Sequence, residues 1–381
     1  MNNMRKVTFQ YRVYPTKAQE TILNAQLEEC RWLYNHFLAE KKKEWRKSKK
    51  SLSAYDLMNT LPALKKERET LQIVNAQALT NVAIRVDLAF QAFFRRWRNG
   101  EKPGYPRFKS FHRYRSITFP QVIHRCYIRD GMLRVSKVGD VKIILHRPLE
   151  GNPKTVTLKK STTGKWYVTF VCELNDPKPL KKSKNQIGID IGLCSFAALS
   201  NGEKIANPRF FKRDEKELAR VQRLFSKEAK GTTERIKRRK PVARVHERIE
   251  FRRKDFAHQQ SRRIVNAYGF IAVEDLEVNR MIETRKFSKS ISDASWAIFF
   301  TLLLYKAANA GRTIVRVNPA YTSQTCSSCG HRQKMPLDKR KYVCLECKLS
   351  LNRDVNAAIN ILTLGLQGSR KIGKAPTQVG E

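Results

Sequence analysis

Near the start of the chain Val7, Phe9, Tyr11 and Val13 alternate with polar residues, the period-two pattern of a half-buried strand, and Pro15 closes the run. Thr16 and Gln19 then have the spacing of a capping box. The helix they open carries Ile22, Leu23, Leu27, Cys30, Leu33, Tyr34, Phe37 and Leu38 at helical spacing before it dissolves into the basic stretch KKKEWRKSKK. A second long helix is expected from Asn75 to about Trp97, with Gly100 beyond its end. Residues 16–100 therefore read as a small helical module with one packed face and one cationic face.

From about 116 to 175 the period shortens. ITFPQVIH, MLRVSKV, VKIILH, KTVTLKK and KWYVTFVCEL are short alternating runs separated by turn sequences such as RDG, EGNP and TTGK, as in an antiparallel β-module. The opening strand is expected to join this sheet, which makes the helical module an insertion. PKPLKKSKNQ, at 177–186, is a polar, Pro- and Lys-rich linker. Beyond it lies a mixed α/β region with strands near 187–200 and 268–275, a helix near 294–310 closed by Gly311, and a strand in RTIVRV. A last helix is expected from about Asp354 to Leu364. Between 212 and 265 sits a very basic helical stretch that Gly231 and Pro241 should interrupt, and the final residues from 366 read as a disordered tail.

Charge changes the picture. Against 34 Asp and Glu stand 76 Lys and Arg, a formal net charge of +42. Self-repulsion of this size weakens a compact chain unless a polyanion neutralises it, and the basic residues are spread along the chain instead of forming a detachable tail. Nucleic acid is the natural partner, although ribosomal and membrane-surface proteins can also be basic. Hydrophobic residues make up 41%, enough for two or three folded cores in 381 residues. No apolar run approaches the ~18 residues that span a bilayer, and MNNMRKVTFQYRVYP has no apolar secretion segment. A soluble, cytoplasmic protein without a membrane partner is expected, associated with the nucleoid when bound to DNA.

Three carboxylates carry candidate chemistry. In QIGIDIGLCSF, strand alternation puts Ile187, Ile189 and Ile191 on one face and Gly188, Asp190 and Gly192 on the other. The two glycines leave room beside Asp190 for a metal ion and a phosphate, while a helix-capping Asp is the plain alternative. Glu274 ends the apolar strand YGFIAVEDL, where open α/β sheets place their ligands, and its neighbour Asp275 must face the other way. Asp354 opens the last helix in LNRDVNAAINIL, a position that also suits a dipole partner or cap. Taken as a set, the three supply the hard oxygen ligands that phosphodiester hydrolysis by two Mg²⁺ ions requires. Arg353 is a candidate for the scissile phosphate or for a solvent-facing position.

Cys326, Cys329, Cys344 and Cys347 form C-x2-C-x14-C-x2-C. Two paired-cysteine turns joined by a short hairpin place four thiolates in tetrahedral reach of one Zn²⁺, and a fully protein-ligated ion is structural. His331 is a nearby but unneeded alternative ligand.

The order IGIDIGL, AVEDL, KSISDASWAIF, YKAANAGRTIVRVNPAYTSQTCSSCG and NRDVNAAINIL resembles the RuvC-like nuclease half of TnpB proteins, relatives of the type V CRISPR effectors. YRVYPTKAQ, WLYNHFL, AFQAFFRRW, GYPRFK and GKWYVTF are similar to that family's N-terminal half. The resemblance implies a multidomain α/β protein. Residues 186–365 would form an RNase H-like (RuvC) nuclease domain with a zinc ribbon inserted at 320–350. Residues 1–15 and 101–180 would form a β-barrel-like wedge module, with 16–100 inserted as a helical recognition module. The family's catalytic, Mg²⁺-binding carboxylates map onto Asp190, Glu274 and Asp354.

The same resemblance implies an RNA-guided DNA endonuclease. A transposon-derived guide RNA pairs with double-stranded target DNA, and the protein reads a short flanking motif. Tyr55, Gln77, Thr80 and Asn81 are the polar candidates for that motif, since Asn and Gln can address base edges, and Arg107 and Lys109 suit backbone phosphates. Lys348 stands where the family usually has Gly and Asn352 where it often has an acid; the first should strain a turn slightly, and neither removes a ligand. A nuclease-silent RNA-guided DNA-binding regulator and a strand-transferring transposase are the competing readings.

Overall fold

The computed structural model describes residues 5–122, 125–276, 288–336 and 338–371, and the chain divides into two compact units, residues 1–176 and 177–381.

In the first unit β1 (Arg5–Tyr14) lies inside a seven-stranded antiparallel sheet that otherwise comes from β2 (Ser116–Phe119), β3 (Cys126–Arg129), β4 (Met132–Val135), β5 (Gly139–Ile144), β6 (Asn152–Lys160) and β7 (Trp166–Leu174). The order is β2-β6-β7-β1-β5-β4-β3. β1 pairs with β7 from Arg5↔Leu174 to Val13↔Trp166, and with β5 at Arg12↔Ile144. Among the described residues the ladder ends at β2 and β3, and no pairing joins these edges into a closed barrel.

Between β1 and β2 run α1 (Lys17–Ser48), α2 (Ala54–Asn59), α3 (Leu61–Glu67), a 3₁₀ turn and α4 (Ala76–Arg98). The Thr16/Gln19 capping box forms, and Asn75 caps α4. α1 does not dissolve in KKKEWRKSKK but continues through it to Ser48, because Lys, Glu and Arg are strong helix formers that need no packed face. The helices and the sheet share one apolar core, in which Leu33, Phe37 and Val86 join Phe119, Trp166 and Phe170. Arg85 of α4 reinforces the join by donating to the Ser116 carbonyl at 2.8 Å and to Thr118 Oγ1 at 2.7 Å. The inserted helices are thus built into the core of the sheet.

The second unit is built on a five-stranded sheet, order β10-β9-β8-β11-β12. β8 (Gln186–Ile191), β9 (Ser195–Leu199) and β10 (Lys204–Ala206) form an antiparallel meander; β11 (Phe270–Glu274) and β12 (Thr313–Val317) extend it in parallel from β8. Helices α5 (Phe210–Lys227), α6 (Thr233–Ala267), α7 (Ser288–Ala294) and α8 (Trp296–Asn309) connect the strands, and α9 (Arg353–Lys371) ends the described chain. α6 and α8 bury Ile264, Phe299 and Leu303 with Ile187, Ile189 and Ile271, while Ile361 of α9 packs with Ala272 and Val317. Among the described residues no helix is long and apolar enough to cross a membrane.

Two boundaries differ from the sequence pattern. Pro241 does not interrupt α6, which runs unbroken through it; the apolar positions Val245 and Ile249 pack against Leu218 and Val221 of α5, and this contact outweighs the lost backbone hydrogen bond. α9 continues past Leu364 to Lys371, so the tail assigned from 366 begins as helix, and 372–381 fall outside the described residues.

Candidate active site and zinc centre

The strand register brings the carboxylates together. β8 and β11 are parallel neighbours with Gly188↔Ala272 and Ile189↔Val273 paired, so the next residues, Asp190 and Glu274, lie at one level of the sheet. Alternation returns them to the face occupied by Gly188 and Ala272. That face is covered by α9: a Cβ on Gly188 would fall 2.0 Å from the Ala358 carbonyl oxygen, and one on Gly365 would fall 2.7 Å from the Ala272 Cβ. Asp354 lies four residues, about 6 Å along the axis, before Ala358, at the start of α9, and its charge acts on Asp190. Gly188 is therefore small to admit the helix backbone, not to leave space for a metal and phosphate as its place beside Asp190 suggests. Gly192, the other flanking glycine, sits at the turn, where an added Cβ would lie 3.2 Å from the Ser195 carbonyl oxygen.

Burial, and then the negative charges of Glu274 and Asp354, push the Asp190 carboxyl well above the usual carboxylate range, with Arg353 partly offsetting them. Burial also raises Glu274, against a hydrogen bond from Thr322 Oγ1 to its Oε1 at 2.7 Å. Asp354 does not cap its helix. Asn352 does, accepting from the N–H groups of Asp354 at 3.2 Å and Val355 at 3.4 Å, which leaves the Asp354 carboxylate available, with Arg340 3.7 Å away. Asp275 is exposed and pairs with Arg316 at 3.3 Å, as strand alternation requires. Three half-buried carboxylates close enough that Glu274 and Asp354 both act on Asp190 match the donor chemistry of hard divalent cations such as Mg²⁺.

Arg353 is buried. Its guanidinium donates to the Pro336 carbonyl at 2.8 Å and to Ser323 Oγ at 3.4 Å, so it braces the segment before and within the cysteine hairpin.

The four cysteine sulfurs lie within 4.8 Å of one another, with Cys326–Cys347 at 3.6 Å and Cys329–Cys344 at 3.5 Å. A Zn–S bond of about 2.3 Å implies tetrahedral edges near 3.8 Å, so the cluster fits a zinc ion. The Leu349 backbone N–H lowers the Cys347 thiol to about 7. His331 faces Glu346 instead, with Nδ1 at 3.8 Å. β13 (Lys341–Val343) and β14 (Ser350–Asn352) flank the second cysteine turn. Lys348 adopts φ 58°, the left-handed conformation that Gly330 adopts at 76° after the first pair.

Apart from Arg353, the expected nucleic-acid contacts lie in the first unit. Tyr55 is exposed on α2, and Gln77, Thr80 and Asn81 share one face of the first turns of α4. Gln77 Nε2 donates to Gln121 Oε1 at 2.6 Å, and Thr80 Oγ1 donates to the Gln77 carbonyl. Arg107 is exposed. Lys109 is fastened to α1: its N–H donates to Asn35 Oδ1 at 2.7 Å, and its ammonium lies 5.6 Å from the Tyr34 ring centroid.

Comparison with known proteins decides the family. Over 96% of this chain and 90% of the relative, it is 36% identical to a Streptomyces pristinaespiralis protein provisionally named an RNA-guided DNA endonuclease. The chain belongs to the TnpB family. InsQ of Escherichia coli K12, provisionally named in the same way, is 27% identical over 98% of both chains. Family models match residues 169–285 (OrfB_IS605, described as "Probable transposase"), 296–361 (Cas12f1-like, TNB domain) and 1–50 (helix-turn-helix domain of OrfB_IS605). The solved structure of a Cas12f1–sgRNA–target DNA complex shares the fold, with a TM-score of 0.58 at 17% identity over 94% of this chain and 99% of that one. This TnpB protein is thus a multidomain α/β protein of the RuvC type, and its four-cysteine cluster fits a zinc ribbon.

The sequence pattern does not single out Thr322, Arg340 or the capping role of Asn352. Asn352 was detectable, since a polar Asn two residues before Asp354 has N-cap spacing. Thr322 and Arg340 carry no local pattern; only the fold brings them to Glu274 and Asp354.

Proposed function

We propose that this TnpB protein is an RNA-guided DNA endonuclease in which Asp190, Glu274 and Asp354 hold the catalytic Mg²⁺ ions. The observation that carries the reading is the convergence of three carboxylates from β8, β11 and the start of α9 on one sheet face. Bound there, two Mg²⁺ ions supply Lewis acidity to the attacking water and the leaving oxygen. The protein's part is to fix the oxygen ligands: the parallel register sets Asp190 beside Glu274, Asn352 frees Asp354 from capping, and Thr322 orients Glu274.

Guide RNA and target DNA are the partners this reading implies, supported by the net charge of +42 and by the names of the relatives. The Cas12f1 complex that shares the fold contains both an sgRNA and target DNA. In this reading the β-sheet of the first unit is the wedge module and 16–100 the recognition module. Tyr55, Gln77, Thr80 and Asn81 face the DNA flanking motif, and the exposed Arg107 binds phosphate. Lys109 and Arg353 act by shaping the protein.

The test is co-purification of the protein with its RNA, sequencing of that RNA, and incubation with matching DNA with and without Mg²⁺. Mg²⁺-dependent cutting that Asp190→Ala reduces at least about a thousandfold is expected. A discrete RNA with target binding but no cutting would leave a regulator, and joined strands formed without RNA would mark a transposase.

A further inference from the structure

The segment between Glu274 and the cysteine cluster is tied at both ends. At one end Thr322, 5% exposed, donates its hydroxyl hydrogen to Glu274 Oε1 at 2.7 Å; the Pro319 carbonyl is the more distant alternative acceptor at 3.2 Å. A hydroxyl has one hydrogen, and an ionised carboxylate is the stronger acceptor. At the other end, four residues on, Cys326 joins the sulfur cluster.

Two asparagines of α9, one turn apart, clamp the stretch between. Asn360 Nδ2 donates to the carbonyls of Thr322 at 2.8 Å and Thr325 at 2.7 Å. Asn356, wholly buried, donates to the same Thr325 carbonyl at 2.8 Å and accepts from the Ser327 N–H at 3.0 Å. Asp354 stands on the same helix, half a turn before Asn356. Glu274 and Asp354, which come from different parts of the chain, are therefore both referenced to one short segment that ends at a zinc ligand.

We propose that Thr322 is a positioning residue through which the zinc-loaded cysteine cluster holds Glu274 in its cation-binding orientation, so that zinc occupancy governs the divalent-cation affinity of the carboxylate site. Fixing Oε1 with a hydrogen bond leaves Oε2 to bind the cation in one orientation. Removing a group that orients a metal ligand costs roughly ten- to a hundredfold in metal affinity. The inference rests on the reading of Asp190, Glu274 and Asp354 as the cation site.

The experiment uses Mn²⁺ as probe, titrated calorimetrically into the purified full-length protein, with zinc content and thermal melting recorded for each variant. Thr322→Val, which keeps the shape and removes the hydroxyl, should retain zinc and its melting temperature but bind Mn²⁺ roughly ten- to a hundredfold more weakly, and Thr322→Ser should recover affinity to within a few-fold. Cys347→Ser should weaken Mn²⁺ binding comparably, and the double variant should be little worse than either single one, because both break the same connection. Wild-type Mn²⁺ affinity in Thr322→Val, or fully additive effects in the double variant, would overturn the coupling. Glu274→Gln separates the two levels: if it binds Mn²⁺ like the wild type, the carboxylate reading falls; if it loses binding while Thr322→Val does not, only the positioning role falls.

Discussion

The two clusters of metal-type ligands in this protein are built on opposite plans. The thiolates come from two turns of one hairpin, Cys326 to Cys347, close on one another, and leave no coordination position for water. The carboxylates come from residues 190, 274 and 354 and meet only when β8, β11 and α9 pack, where burial and then the charges of Glu274 and Asp354 raise the proton affinity of Asp190. A local cluster is completed by its ion and stabilises the hairpin around it. A cluster assembled from distant elements is held in place by the rest of the fold.

The largest effect should come from attacking the closed cluster. Cys344→Ser, or strong chelation, is expected to unfold the hairpin, because a structural zinc ion contributes on the order of ten kcal/mol to small ribbons; loss of zinc with rapid proteolysis between 320 and 350 would show it, and an intact hairpin without zinc would erase the contrast. Next, Gly188→Ala attacks the open cluster through its scaffold. The added methyl collides with the backbone of α9, so a loss of about 3 kcal/mol or more is expected in denaturant melts, along with the placement of Asp354.

A subtler test uses the repulsion itself. Asp190 and Glu274 have folded-state proton affinities raised above their usual values, so without divalent cations the stability they contribute is fully present below the usual carboxylate range and is lost as pH rises through their raised values. The metal-free protein should melt higher in mild acid than at neutral pH, as far as these two groups decide it. Asp190→Asn should raise the neutral melting temperature and flatten that dependence while abolishing cleavage; an unchanged melting temperature would mean the carboxylates do not strain the fold. The smallest effect belongs to Lys348, held in a left-handed conformation where the first cysteine turn has Gly330. Lys348→Gly should stabilise the hairpin by about 1 kcal/mol with zinc content unchanged, read from the zinc-loaded melt.

The same contrast explains what was legible in the sequence. Spacing alone placed the four cysteines, since their geometry is local. Alternation placed Asp190 on the face of Gly188 and turned Asp275 away from Glu274. It did not reveal why Gly188 is there, because α9 packs onto it from residues far along the chain. Thr322 escaped for the same reason: its partner Glu274 is near only in space. Pro241 misled because a local rule stops helices there, while the packing of α5 on α6 carries the helix on; KKKEWRKSKK misled because it lacks an apolar face, although its Lys, Glu and Arg side chains favour helix by themselves.

The central place of β1 also sets an order of events during synthesis. This strand leaves the ribosome well before its neighbours β5 and β7, the latter ending at Leu174. The helices between them can coil as soon as they emerge, since their contacts are local, whereas β1 must wait with both edges open until most of the first unit has been made. A ribosome stalled before Trp166 would carry a chain in which β1 has no partner at Arg5–Val13 on its β7 side, a state exposed to chaperones and to mispairing.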